Sequence, residues 1–80
     1  MTPTLGSIVH YRPDATQREA WSKLGNSVDP GELVAAVIVA VWSDECVNLR
    51  VMLDGEATPW VTSATLGEDE YQWRWPERVG

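Results

Sequence analysis

The feature that most constrains this chain is the run Leu33–Trp42, LVAAVIVAVW. Its length is too short to span a bilayer as a helix. Its β-branched content favours a strand. At strand spacing Leu33, Val37, Val39 and Val41 share one face, and Val34, Ile38 and Trp42 share the other. A strand with one wet face alternates apolar and polar residues, and this one has no polar face. Both faces are therefore expected to be covered, one by core and the other by a long loop or a second subunit.

The flanking sequence reads as further strands. Leu5–Tyr11 is a first strand, with Ser7, Val9 and Tyr11 on one face and Ile8 and His10 on the other. Residues 12–32 form a long irregular segment rich in turn residues, among them Pro13, Gly25, Asn26, Pro30 and Gly31. Within it Asp14–Leu24 has two readings. One is a short helix, opened by an Asp14/Gln17 capping box, stopped by Gly25, with Ala20, Trp21 and Leu24 on one face. The other is an extended loop folded over the domain with Trp21 as its anchor.

After the turn Ser43-Asp44-Glu45, Cys46–Leu53 alternates. Val47, Leu49, Val51 and Leu53 point to the core, and Cys46, Asn48, Arg50 and Met52 point outward. Asp54-Gly55 signals a hairpin with Gly at positive φ. Thr58–Ala64 is a fourth strand, placed at an edge by Pro59. An acidic loop, Leu66–Glu70, leads to a fifth strand at Tyr71–Trp75, with Tyr71, Trp73 and Trp75 on one face and Gln72 and Arg74 on the other. Strand, long loop, three closely joined strands and a last strand give an all-β, five-stranded barrel of the Src-homology-3 type, one domain over residues 1–80. The oligonucleotide-binding barrel is the alternative, but it needs a helix between the third and fourth strands, where only turn-like residues sit.

At 80 residues the core is thin. One cysteine, Cys46, and one histidine, His10, exclude an internal disulfide and a Cys/His zinc site. Oligomerisation is left as the supplementary source of stability. No basic or apolar leader is visible at Met1-Thr-Pro-Thr, so no signal peptide is expected, and the lone thiol fits a reducing cytoplasm. A net charge of −6 argues against non-specific nucleic-acid binding while leaving room for a local basic pocket. No Ser/His/Asp or Cys/His constellation, calcium loop or phosphate-binding glycine loop is visible, so a non-enzymatic protein without a cofactor is expected.

The chain has five tryptophans, two tyrosines and no phenylalanine. Trp and Tyr pair a flat ring with a polar handle and favour interfaces and ligand platforms. The candidate ligand-binding set is Tyr11, Arg12, Trp60, Thr62, Ser63, Trp73, Arg74 and Arg78. In a nucleotide pocket the rings would stack on bases, the arginines would neutralise phosphate, and Thr62 and Ser63 would add hydrogen bonds. The same residue types build a protein–protein hot spot. A third reading places Tyr71, Trp73 and Trp75 in the core.

The segments LGSIVHYR, VAVWS, VNLRVMLDG, TPWVTS and WRWPER resemble a family of short proteins from tailed bacteriophages and prophages. That family shares a Leu-Gly start, a Val-His/Leu-Tyr strand, a Val-Asn-Leu strand, an Asp-Gly turn and a Trp-x-Trp-Pro-Glu end. The likeness spans nearly the whole chain except residues 13–32. It implies a phage protein working in the host bacterial cytoplasm. Small phage proteins often counter host defence, so the resemblance implies a homo-oligomeric sponge that sequesters a cyclic oligonucleotide or cyclic ADP-ribose type of immune signal. The alternatives are a protein-interaction module that binds or inhibits a host protein, and an assembly accessory.

Overall fold

The structure is a computed structural model that describes residues 2–25 and 27–77. The elements are β1 (Ile8–Arg12), α1 (Ala15–Ser22), β2 (Val34–Val41), β3 (Cys46–Met52), β4 (Trp60–Leu66) and β5 (Gln72–Arg74). The strands close into a barrel in the order β1-β2-β3-β4-β5. Every pairing is antiparallel except β4 with β5, which is parallel. The architecture is that of a small barrel compatible with the Src-homology-3 type. Closure also answers the expectation drawn from Pro59. That residue lies just before β4, and its carbonyl accepts the Val51 N–H at 2.9 Å, so no free edge begins there.

Inward residues of each strand form the core. Val9, Tyr11, Ala36, Ile38, Val47, Leu49, Val51, Val61, Ala64 and Trp73 are all buried. The alternation expected for β3 is as read, since Val47, Leu49, Val51 and Leu53 point inward. In β2 the alternation is interrupted. The register with β3 shifts between Ile38 and Ala40, a β-bulge at Val39. A bulge adds one residue to one strand and resets which side chains face in. Trp42, expected to share a face with Ile38, is thereby sent outward and lies 65% exposed. A second bulge in β4 leaves Ser63 with φ +54°.

The segment Asp14–Leu24 is helical over α1. Asp14 accepts the Gln17 N–H at 2.8 Å, and the Gln17 side-chain carbonyl accepts the Asp14 N–H at 3.0 Å. Both arms of the capping box are thus closed. Gly25 follows at φ +85°, the left-handed conformation that ends helices. Only Trp21 of the expected apolar face is buried; Ala20 and Leu24 are exposed. Trp21 joins the core beside Tyr11, ring centroids 6.5 Å apart. Gly55 does not use positive φ; instead its N–H bonds back to the Leu53 carbonyl at 2.8 Å within a longer bend.

The long segment therefore fills core and leaves the outer face of β2 largely open. It reaches that face only at one margin. There Gly25, Ser27, Val28 and Glu32 line a cleft of about 360 Å³ with Ala35 and Met52. The loop half of the expectation for β2 is corrected: Trp21 is worth more inside the barrel, where a ring of its size removes the most apolar area from water. Among the described residues no helix is long and apolar enough to cross a membrane.

Candidate functional site

The sequence-derived set divides into residues inside the barrel, residues tied into its loops and residues on its surface. Tyr11 and Trp73 are both 0% exposed. The Tyr11 hydroxyl donates to the Gln17 side-chain oxygen at 2.7 Å, and the Trp73 indole N–H donates to the Glu45 carbonyl at 3.0 Å. Their rings have no free face for a ligand, which corrects their assignment as stacking residues. The physical reason is size: a barrel this small needs its largest side chains to fill it. Tyr71 and Trp75 pack partly buried against the same core, Tyr71 edge-on to Tyr11 and Trp75 edge-on to Trp73.

The arginines are already engaged. Arg12 donates to the Gly31 carbonyl at 3.2 Å and also to the Glu68 carbonyl, tying the long loop to the acidic loop. Arg74 pairs with Glu68 at 3.0 Å and Glu77 at 3.5 Å. It lines a cleft of about 400 Å³ with His10, Leu33 and Glu77. The two carboxylates on the guanidinium, of which Glu77 also lines that wall, oppose an incoming phosphate. Arg78 lies outside the described residues. Thr62 is half-buried, its carbonyl accepting the Tyr71 hydroxyl at 2.9 Å, and Ser63 sits in the β4 bulge. Trp60 alone of the candidate rings is well exposed, at 59%.

Trp60 belongs to a surface the sequence did not single out. Residues opposite one another on paired strands share a face. Ile8 pairs with Val37, Val37 with Arg50 and Arg50 with Trp60, giving one row across the outside of β1, β2, β3 and β4. The adjacent row carries His10, Ala35 and Met52. Ile8 is 56% exposed and Met52 50%, and Val39 stands out beside them at the bulge. Arg50 is exposed and makes no ion pair among the described residues; its guanidinium donates to the Thr58 carbonyl at 3.5 Å.

At one end of this face Trp42 is held in place by its own N–H, which donates to Asn48 Oδ1 at 2.9 Å. The same oxygen accepts the Ser63 N–H at 2.8 Å. Asn48 points outward as expected, yet it is buried. One amide oxygen thus fixes an exposed indole and a strained bulge together.

The signal for this surface lay in β2, whose Val37 and Val39 had no polar counterpart. What could not be read was how far the apolar character continues onto β1, β3 and β4, since that depends on register. Among the described residues no group of three or more His, Cys, Asp or Glu side chains is placed to hold a metal ion. Comparison with protein-family models, curated proteins and solved structures gives no match to this chain.

Proposed function

We propose that this barrel is a non-enzymatic binding module that docks on a protein surface through the outer face of β1–β4. The observation that carries the reading is the contiguous row Ile8–Val37–Arg50–Trp60 with Met52 and Val39 beside it. Apolar patches of this extent on a small monomer mark interaction sites. Trp and Arg are among the residue types most enriched at hot spots, and here Trp60 stands exposed opposite Arg50, which makes no ion pair among the described residues. The resemblance to phage proteins makes the host bacterial cytoplasm the place where such docking would act.

A photo-crosslinking amino acid at position 60, introduced in cells, tests this. The expected result is a discrete covalent adduct with one protein, abolished when Val37 is changed to Asp in the same chain. Absence of any protein adduct, with the barrel still folded by circular dichroism, removes the reading.

The nucleotide-sponge reading has one observation in its favour. Arg50 and Trp60 stand opposite each other on the open face, so a base could stack on Trp60 while Arg50 meets a phosphate. Tyr11, Arg12, Trp73 and Arg74 take no part in that version. Calorimetry with cyclic di- and trinucleotides and cyclic ADP-ribose isomers decides it; heat that vanishes in Arg50→Ala supports it, and no heat from any of them rules it out. The homo-oligomer expected from β2 would form through this same face.

A further inference from the structure

We propose that a second copy of this chain covers the β1–β4 face, as a two-fold symmetric dimer. This rests on the reading of that face as a protein-docking surface and names its occupant. Area is the first argument. Ile8, Val37, Val39, Met52, Trp60 and the nearby Trp42 together leave on the order of 600 Å² of apolar surface in water, taking typical side-chain areas. A standard interface draws about 800 Å² from each partner. With Arg50, His10 and Ala35 as the polar and small neighbours, the face has the size of one half of such an interface.

Charge is the second argument. A chain of net charge −6 repels its own copy over most of its surface. Its twelve Asp and Glu residues all lie in loops and α1, and none lies in a strand. The strand residues of the β1–β4 face therefore bring no carboxylate to a second copy, and Glu32 and Asp54 stand at its margin, in the cleft beside Ala35 and Met52. The only charge near its middle is Arg50.

Symmetry places that arginine. In an isologous dimer each patch meets itself through the two-fold axis. An axis lying between β2 and β3, parallel to them, sets Ile8 of one copy over Trp60 of the other, twice. It sets Arg50 over Val37 and keeps the two Arg50 side chains apart. The Arg50 stem then packs on the apolar row while its guanidinium reaches the wet rim.

Sedimentation velocity of the purified full chain across about 1–500 µM tests this, together with amide NMR spectra recorded over the same range. A shift from the 8.9 kDa monomer to a dimer is expected, with concentration-dependent signals at Ile8, Val37, Met52 and Trp60. Trp60→Ser weakens the dimer at least about tenfold. Arg50→Met, which replaces the charge by the unbranched apolar side chain nearest to it in reach, tightens it. Either a monomer throughout or a dimer whose signals move elsewhere and which ignores Trp60→Ser overturns the proposal. A monomer that nonetheless crosslinks through position 60 to another protein also overturns it, while leaving the docking role of the face intact.

Discussion

Buried polar tips do much of the orienting in this barrel, and they give predictions at the scale of single residues. Burial pushes the Tyr11 phenol well above its ordinary value of 10.0, an effect only partly offset by the bond to Gln17. Below that value the phenol is neutral whether the chain is folded or not, and pH has no leverage through it. Above it the unfolded chain ionises while the buried phenol keeps its proton, so stability falls as pH rises toward the folded value. Urea midpoints between about pH 9 and pH 11 should therefore decline less steeply in Tyr11→Phe than in the wild type. At pH 7 that substitution should cost about 1 kcal/mol, the net worth of one hydrogen bond. Asn48 is the harsher case. Asn48→Ala leaves the Trp42 indole N–H and the Ser63 backbone N–H without their acceptor. A cost of about 2–3 kcal/mol is expected, along with a fall in the fluorescence anisotropy of the chain as Trp42 loosens.

At the scale of elements, α1 is the least self-sufficient part, because a helix this short is marginal alone. Two devices hold it: the Asp14/Gln17 capping box and the insertion of Trp21 into the core. The Gln17 side-chain oxygen serves both the Asp14 N–H and the Tyr11 hydroxyl, so the start of the helix is coupled to the barrel interior. Asp14→Ala should cost about 1 kcal/mol. Gln17→Ala, which breaks a capping bond and the Tyr11 bond together, should cost more, and in a double-mutant cycle with Tyr11→Phe the two should be non-additive. Denaturant midpoints that shift equally for Asp14→Ala and Gln17→Ala would contradict this coupling. The capping box could be read from the sequence because it is local, four consecutive residues with known chemistry. The inward set of β3 could be read because its alternation is unbroken. The bulges at Val39 and Ser63 could not, since an extra residue in one strand has no signature apart from the register of its partner. The binding residues suffered most from this. Period two says that Tyr71, Trp73 and Trp75 share a face, but not that the face points inward. The partners of Arg12 and Arg74 lie far along the chain, beyond any local pattern.

At the scale of the whole molecule, charge and apolar surface are segregated. Carboxylates populate the loops and α1, while the strands carry only arginines as formal charges and an outer row of apolar side chains. Two copies approaching through β1–β4 gain from burying that row and lose from the mutual repulsion of two acidic bodies. The two effects respond to salt with opposite sign from an interface built on ion pairs. Salt weakens ion pairs, whereas here it screens a repulsion that acts over distances comparable to the ~10 Å Debye length at 0.1 M. Raising sodium chloride from about 50 mM to about 500 mM should therefore tighten the dimer several-fold. Trp60→Ser should remain at least about tenfold weaker than the parent at both salt concentrations, because screening relieves the same repulsion in each and does not replace the lost apolar contact. Sedimentation equilibrium at the two salt concentrations checks this directly. A dimer that dissociates as salt rises would mean that Arg50 and the acidic loops of the other copy, rather than the apolar row, hold the two barrels together.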